Sequence, residues 1–299
     1  MRVTVLGVPS STGAYCVGVE SAPAALREAG LLDALRAAGA DVVDAGDLTT
    51  RFWHPDREHP FAQNVGDEAE SMRELSAAAA GLIADGERLL VLGGSCLVAV
   101  GLCAALAQRG DRPRLVYLDR HLDLNTPHST TEGSLSWMGM AHALALEGAA
   151  PELVSAAGDA PLLQPADLVY LGADPSGAAT EWEREQVSAL GLAIVDQTAL
   201  CDDPGSAAQR ALDAMTGGPF VVHLDVDVLD FLDAPIAENV NGRNSGPTIA
   251  VLGSALSVLL QHPDCLGLSL GQLVPAHAAS EPTAVPRLIA ALVSALTTD

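Results

Sequence analysis

Short apolar runs return along the whole chain, separated by stretches rich in Ala. The runs are nearly continuous in Val, Leu and Ile rather than alternating, which is typical of strands buried on both faces of a sheet. They read VTVLGV, DVVDAG, RLLVLGG, RLVYLD, DLVYLG, LAIVD, FVVHLDVDVLD and LGLSLGQLV. We interpret each of them as a buried strand.

Candidate helices lie between these strands, and several begin after Ser or Asp and stop at Gly, as capped helices do. They include SAPAALREAGLLDALRAAG, DEAESMRELSAAAAGLIADG, VAVGLCAALAQRG, ATEWEREQVSALG and SAAQRALDAMTG. Strands alternating with helices predict an α/β fold with a doubly wound, mostly parallel sheet, since parallel neighbours need helical crossovers. We expect one domain over residues 1–299, with loops at 48–66, 124–139, 155–166 and 231–247.

The charge balance of the chain is strongly acidic, which narrows the classes of partner. With 38 acidic and 15 basic residues, the formal net charge is -23. Such a charge repels nucleic-acid phosphates and anionic lipid headgroups, so we expect neither nucleic acid nor a membrane as partner. No apolar run has the roughly 20 residues that a membrane span needs, and the N-terminus reads as a strand, not a signal peptide. A cytoplasmic protein acting on a small molecule is therefore expected.

The cysteines do not suggest a disulfide framework. They are five in number, scattered, and without a paired C-x-x-C spacing, which also argues against a structural zinc knuckle. We expect each of them to be a reduced thiol.

Two acidic motifs at strand ends carry the candidate chemistry. After the strand RLVYL, the acids Asp119 and Asp123 alternate with His121, and after FVVHL the acids Asp225 and Asp227 alternate in the same way. In an extended chain, alternate side chains share one face, so each set would converge on one point. In a parallel sheet, ligands bind outside the carboxyl ends of the strands, where both motifs lie.

Four carboxylates in one pocket would repel one another strongly unless cations neutralise them. Two divalent metals would do so, and oxygen-rich sites with some imidazole suit Mn²⁺ or related ions. For any one of these acids, a strand cap or a turn is the simpler interpretation. For the two motifs together we favour metal binding, because turn chemistry does not require alternation on a buried strand.

With these motifs in place, the chain resembles the arginase (ureohydrolase) family. The matching segments follow the family order from about residue 3 to residue 290. They are the G-V-E-x-G-P…G-D-L opening at Gly18–Pro23 and Asp47–Leu48, G-G-D-H at Gly93–Cys96, D-A-H-x-D-I-N-T-P at Asp119–Pro127 and F-D-V-D-x-L-D at Leu224–Asp230. The resemblance implies a three-layer α/β/α sandwich, usually a trimeric or hexameric homo-oligomer. It also implies a binuclear manganese centre whose bridging hydroxide attacks a guanidino carbon.

By motif match, Asp119 and Asp225 would bridge the metals, Asp123 would bind one of them, and His121 and Asp227 the other. Asp227 would also orient the hydroxide or accept its proton. The family's sixth ligand, the His of G-G-D-H, falls on Cys96, and we place metal ligation by this thiol slightly ahead of simple packing. A thiolate would shift the metal preference from Mn²⁺ toward Zn²⁺, Fe²⁺ or Co²⁺. Cysteine here also resembles the branch that hydrolyses N-hydroxyarginine in antibiotic pathways, which suggests natural-product biosynthesis.

The family's substrate contacts are partly changed. The position of the proton-shuttling His holds Ser136, which cannot exchange protons near neutral pH as imidazole does. His128 and His142 lie nearby in sequence and could substitute, although a surface-loop histidine without a role is the simpler interpretation of each. Asn125 matches a family Asn that contacts the amino-acid end of the substrate, and Glu132 puts a carboxylate where the family has a hydroxyl.

A larger departure lies near the C-terminus, where the family's M-E-V-N-P reads Gly271-Gln272-Leu273-Val274-Pro275. The family Glu pairs with the guanidinium of the substrate, and neutral Gln272 cannot supply that charge. One ionic hydrogen bond contributes about 1.5–3 kcal/mol, so ordinary L-arginine is a weaker candidate than a hydroxyguanidine, amidine, ureido compound or amide. Arg243, in a loop that also departs from the family pattern, is a candidate contact for a substrate carboxylate.

Three functions remain open from the sequence. The first is metal-dependent hydrolysis of a C–N bond, other than a peptide bond, in a guanidino, hydroxyguanidino, amidino or amide compound. The second keeps the fold and metals but catalyses a cyclisation, an elimination or another Lewis-acid step. The third is a non-catalytic relative with a degraded site, which the retained acids argue against.

Overall fold

The computed structural model describes residues 1–158, 160–239 and 244–297. Its centre is an eight-stranded sheet in which every ladder is parallel, with the spatial order β2-β1-β3-β8-β7-β4-β5-β6. The strands are β1 Arg2–Gly7, β2 Asp41–Asp47, β3 Arg88–Leu92, β4 Leu115–Leu118, β5 Leu168–Ala173, β6 Ala193–Asp196, β7 Phe220–Asp225 and β8 Cys265–Gly271. The eight apolar runs of the sequence correspond to these eight strands.

Helices cover both faces of the sheet. They are α1 Ala22–Glu28, α2 Leu31–Ala37, α3 Val65–Leu82, α4 Val98–Gln108, α5 Gly139–Ala143, α6 Pro151–Ala157, α7 Glu181–Leu190, α8 Gln197–Asp202, α9 Pro204–Ala214, α10 Ile249–Leu260 and α11 Ala284–Thr297. Among the described residues, no helix is both long and apolar enough to cross a membrane.

The two faces have separate hydrophobic cores, which makes the molecule a three-layer α/β/α sandwich. Along β4, Val116 and Leu118 pack with α10 and α11 on one face, whereas Leu115 and Tyr117 pack with α3 and α4 on the other. Alternate residues of a strand point to opposite faces, so a strand covered on both sides has to be apolar throughout. The predicted fold class is confirmed.

Some local expectations differ from the structure. The segment 21–39 forms two helices, because Gly30 adopts the left-handed conformation (φ 90°) between α1 and α2. The expected loop at 155–166 begins inside α6, and Leu135–Met138 in the loop 124–139 forms a 3₁₀ turn. The run DVVDAG was interpreted as a buried strand, but β2, which it forms, is largely exposed because it is an edge strand of the sheet.

Gly93, directly after β3, packs against Pro23 and has a left-handed backbone. A Cβ at this position would lie 2.6 Å from the Pro23 Cδ, and φ is 86°. We expect Gly93→Ala to lower the free energy of unfolding by about 2–4 kcal/mol, since conformational strain and overpacking add. Urea denaturation measures this change.

The matched control is Gly110→Ala. Gly110 has nearly the same backbone (φ 88°), but no atom lies within 4 Å of its added Cβ. In this variant, conformational strain alone should lower the free energy of unfolding by about 1–2 kcal/mol. Equal losses of stability in the two variants would contradict the steric argument.

Candidate metal centre

The candidate ligands lie at the carboxyl ends of three strands, β3, β7 and β4, and β8 lies between β3 and β7 in the sheet. Cys96 follows β3, Asp119 follows β4, and Asp225 is the last residue of β7. Parallel strands bring their carboxyl ends to one edge of the sheet, so residues more than a hundred positions apart in sequence become neighbours. The Cys96 Sγ lies 3.0 Å from the Asp225 Oδ2, to which it donates a hydrogen bond.

A turn, not an extended strand, brings the first motif together. The strand β4 ends at Leu118, and the Asp119 Oδ1 accepts a hydrogen bond from the His121 backbone N–H at 2.7 Å. Asp123 then adopts a left-handed backbone (φ 50°), which Asp tolerates better than most residues. The expectation that alternation on an extended chain causes the convergence was therefore wrong, although the three side chains do lie together.

The second motif is also a turn. Beyond β7 the residues Val226–Val228 form a 3₁₀ turn, and the Asp225 Oδ1 accepts from the Asp227 backbone N–H at 2.8 Å. In both motifs the first Asp therefore uses one oxygen to shape the backbone. The same acidic residues therefore form the turns and bring the carboxylates together.

The potential ligand atoms form three compact groups. In each group, one ligand atom per residue lies within 4.8 Å of the others, and the groups are Cys96 with Asp119 and Asp123, Cys96 with His223 and Asp225, and Asp119 with His121 and Asp227. The six predicted ligands thus occur in one continuous cluster, and Asp119 and Cys96 each belong to two groups. Their role as ligands stays a prediction.

Burial and mutual repulsion perturb the acids of the cluster. Burial, followed by the charge of Asp227, raises the pKa of Asp119 to about 6 and raises the pKa of Asp225 well above its usual value. Burial and the charge of Asp119 likewise raise the pKa of Asp123. Although burial acts in the other direction, the His121 imidazole, 3.0 Å from the Asp227 Oδ2, holds the pKa of Asp227 below its usual value.

Two carboxylate oxygens of the cluster are buried without a hydrogen-bond partner within the described part of the chain, and they are Asp119 Oδ2 and Asp227 Oδ1. Unpartnered buried oxygens on closely spaced acids are costly unless a cation compensates them. Carboxylates, imidazole and a thiol are also the donors that divalent transition metals accept. The residues present therefore fit a divalent metal centre.

A cavity of about 430 Å³ opens over the cluster. Its walls include Cys96, His121, Asp123, Asp225 and Asp227, so a small molecule inside it can reach the proposed metal ligands. The Trp137 ring stacks on His121 with centroids 6.3 Å apart and forms part of the wall. The volume is in the range of small-molecule sites.

The predicted substrate contacts Asn125, Glu132 and Gln272 line the same cavity, and so does Ser136 at the predicted proton-shuttle position. Glu132 is exposed, whereas the other three are buried. The Asn125 Oδ1 accepts hydrogen bonds from Ser129 and Thr180 at 3.2 and 3.1 Å. Arg243 lies outside the described residues.

The proton-shuttle position is occupied by a hydroxyl pair. The Ser136 Oγ lies 2.8 Å from the Ser134 Oγ, and both residues are buried. His142 is packed against the Met138 carbonyl, and burial lowers its pKa to about 4. Among the described residues that line the cavity, neither His128 nor His142 is present, so the structure does not favour them as substitutes.

Three residues of the site were missed in the sequence. Glu238 and Glu183 line the cavity, and His223 belongs to one of the three ligand groups. His223 stands two residues before Asp225, so its place in an H-x-D-x-D pattern is a signal that could have been used. For Glu238 the sequence offers no such signal, since its partner Gln272 lies 34 residues away.

Comparisons with known proteins show to which family the chain is similar. The family model described as Arginase family matches residues 1–295. The Arginase-1 of Oryctolagus cuniculus is 30% identical over 76% of this chain and 71% of its own length, and the Arginase-1 of Homo sapiens is 29% identical over the same shares. The arginase structure from Bacillus caldovelox superposes with a TM-score of 0.87 at 24% identity, covering 100% of this chain and 98% of that one.

A second kind of enzyme shares the fold. The formimidoylglutamase of Bacillus subtilis superposes with a TM-score of 0.72 at 17% identity, covering 99% of this chain and 85% of the other. The prediction of a metal-dependent, ureohydrolase-like hydrolase of C–N bonds other than peptide bonds is confirmed at the level of the family. From the fold and the match of the family model over nearly its whole length, the chain belongs to the arginase family.

Proposed function

We propose that the protein hydrolyses a C–N bond in a small molecule that carries a guanidino, hydroxyguanidino or amidino group. The observation that carries this proposal is one cavity in which the acidic cluster faces a second polar pair, formed by Gln272 and Glu238. The cluster offers ligands for metals, and the pair offers acceptors for substrate N–H groups. The whole chain, residues 1–299, is proposed to act as one metallohydrolase domain.

The proposed metal ligands are the side chains of the cluster, Cys96, Asp119, His121, Asp123, Asp225 and Asp227. Bound divalent ions lower the pKa of water and so provide a nucleophile near neutral pH. The Asp227 Oδ1, buried and unpartnered in the described structure, is the group that we propose to orient this water or accept its proton. His121 keeps the other Asp227 oxygen in place.

The pair of Gln272 and Glu238 is held rigidly. The Glu238 Oε1 accepts from the backbone N–H groups of Tyr15 and Cys16 at 3.0 and 3.1 Å, and the Oε2 accepts from the Gln272 Nε2 at 3.3 Å. The Glu238 backbone N–H donates to the Gln272 carbonyl at 2.8 Å, which fixes the two residues side by side. A carboxylate therefore stands next to the amide that replaced the family Glu.

The pair of Gln272 and Glu238 determines which chemical groups of a substrate can bind there. The Gln272 Oε1 is buried without a partner in the described structure, and it can accept a hydrogen bond from a substrate N–H. The charge that Gln272 lacks is present 3.3 Å away on Glu238. Among the described residues that line the cavity, acids are numerous and neither Lys nor Arg occurs, which favours a cationic or strongly hydrogen-bond-donating group.

The test is a panel of guanidino, N-hydroxyguanidino, amidino and amide compounds offered to protein loaded with Mn²⁺. We expect release of urea, a substituted urea or ammonia from at least one guanidino or amidino compound. Consumption of a compound without any of these products would favour the cyclisation or elimination alternative. The absence of both metal and turnover in well-folded protein would favour the non-catalytic alternative.

Glu238→Gln is expected to raise KM for a cationic substrate about 10–100-fold, with a smaller effect on kcat. Loss of one charge-assisted hydrogen bond costs about 1.5–3 kcal/mol, which is one to two decades in affinity. Steady-state kinetics on the best compound of the panel measures it. Glu70→Gln, on the exposed face of α3, is the control and should leave KM unchanged.

Three finer points are proposals that follow from the resemblance. Manganese is proposed as the metal, with Zn²⁺, Fe²⁺ and Co²⁺ as alternatives because of the Cys96 thiol. A homo-oligomer is proposed as the assembly. A role in natural-product biosynthesis is proposed because Cys96 stands at the position where most of the family has His.

A further inference from the structure

His223 is a buried histidine with one free ring nitrogen. It lies in the middle of β7, two residues before Asp225, and its exposed fraction is 0%. Among the described residues its Nε2 has no hydrogen-bond partner. A fully buried imidazole nitrogen without a partner is costly, so this atom calls for an explanation.

Neighbouring strands hold the ring in one orientation. In the sheet register, His223 pairs with Tyr117 of β4 on one side and with Ser269 of β8 on the other. The Tyr117 ring stacks on the imidazole with centroids 5.0 Å apart and planes 19° apart, and the Ser269 Oγ lies 2.9 Å from the His223 Nδ1. With Nδ1 engaged by Ser269, the Nε2 is the nitrogen left to bind a ligand.

The His223 ring lies next to the acidic cluster. One ligand atom each from His223, Cys96 and Asp225 lies within 4.8 Å of the other two. A thiol, an imidazole and a carboxylate at such spacing form a donor set that transition metals accept. Metal-binding histidines commonly have their second ring nitrogen fixed by a hydrogen bond, as Ser269 does here.

Gly271 provides the space for this ring. A Cβ at Gly271 would lie 3.0 Å from the His223 Cε1 and 3.4 Å from its Nε2. The resembling family motif has Met at this position, and it has His at the position of Cys96. The chain therefore differs from the family motif at two positions next to the His223 ring. Position 96 holds Cys where the motif has His, and position 271 holds Gly where the motif has a Met side chain that would fill the space of the His223 ring.

We propose that His223 supplies the nitrogen ligand that the family takes from position 96, so that one metal is held by His223, Cys96 and Asp225. The inference rests on the proposed metal centre, and it adds a ligand to it. The other position, around Asp119, His121 and Asp227, lacks a sulfur donor. The two positions thus differ in softness, and Co²⁺ or Zn²⁺ should prefer the position with Cys96.

The test compares metal binding in the folded wild type with His223→Phe, which keeps an aromatic ring next to Tyr117 but has no nitrogen. Co²⁺ is titrated in competition with a chelating dye, and the thiolate-to-cobalt charge-transfer band is recorded. Wild type should bind two ions and show the band. The variant should keep one ion, bind the second at least about 100-fold more weakly, and lose the band.

Two controls separate ligation from packing. His142→Phe changes another buried histidine whose Nε2 has no partner among the described residues but which belongs to none of the ligand groups, and both affinities should stay as in wild type. Ser269→Ala should weaken one ion about tenfold, since it removes only the orienting hydrogen bond. If His223→Phe does not fold, Gly271→Ala provides the same readout, because its Cβ pushes against the ring.

Failure of the inference about His223 can be distinguished from failure of the proposed function. Loss of one ion in His223→Phe supports the inference even if no compound of the substrate panel is turned over. Two ions bound at wild-type affinity in this variant, with an unchanged cobalt band, would overturn it. Wild-type protein that binds no ion would overturn it as well.

Discussion

Replacing Asp119 with Asn should reduce turnover by about 10³-fold or more and leave at most one metal per chain. Asp119 is fully buried, belongs to two of the three ligand groups, and has one carboxylate oxygen without a partner in the described structure. The amide has the same size but no charge, so metal binding is lost while the fold persists. Metal-assisted formation of the nucleophile contributes several kcal/mol, and 10³-fold corresponds to about 4 kcal/mol.

The measurement combines elemental analysis with kinetics on the best substrate of the panel. The control is Asp85→Asn, because the Asp85 side chain is 86% exposed and its ion pair with Arg109 lies at the surface. This variant should retain wild-type metal content and turnover. If Asp119→Asn kept two metals and full activity, the assignment of the cluster would be wrong.

Removing the metals should lower the melting temperature by about 5–10 °C at neutral pH. A ligand that is present at 100 times its Kd stabilises the folded state by about 2.7 kcal/mol, and each kcal/mol shifts Tm by about 2–4 °C in a protein of this size class. Without cations the buried acids repel one another, since burial and the neighbouring carboxylates raise the pKa values of Asp119, Asp123 and Asp225. Calorimetry with and without Mn²⁺ measures the shift.

The shift should also depend on pH with a definite sign. Burial raises the pKa of Asp119 to about 6 in the folded state, above its ordinary value of 3.8. The folded metal-free protein then binds more protons than the unfolded chain between these values, so its stability falls as pH rises from about 4 through 6. Stabilisation by Mn²⁺ should therefore grow over the same range. A shift that is equal at pH 5 and pH 8 would contradict this.

The layered fold could be predicted from the sequence because the six inner strands of the sheet are buried on both faces. The apolar run of each inner strand packs against two cores, and this requirement marks the strand in the sequence itself. The spatial order of the strands could not be predicted in the same way. β8 lies between β3 and β7, and this position depends on long crossovers that no local pattern encodes.

The convergence of the acids of the candidate metal centre could be predicted from the sequence, but the predicted reason for it was wrong. An extended chain was expected, whereas Asp119 and Asp225 each bend the backbone through a hydrogen bond to the residue two positions later. The interpretation of these acids as turn formers and the interpretation as ligands are compatible, because each carboxylate has two oxygens. One oxygen of Asp119 shapes the turn and the other is free for a cation.

Residues whose partners lie on a neighbouring strand could not be recognised as site residues from the sequence. His223 reads as one more position of a buried strand until Ser269 and Gly271 of β8 are placed beside it. Glu238 reads as a loop acid until the antiparallel bridge between Ala237 and Leu273 sets it against Gln272. In both cases the decisive partner is set by tertiary contacts, which a linear pattern does not contain.

The central claim is that divalent cations sit among the carboxylates of β4 and β7. It is tested most directly by an anomalous difference map from crystals grown with Mn²⁺ and recorded near the manganese absorption edge. The account predicts two peaks per chain, both among the side chains at positions 119, 121, 123, 225 and 227 and their neighbours. A map without peaks in this cluster, from protein that is fully folded, would contradict it.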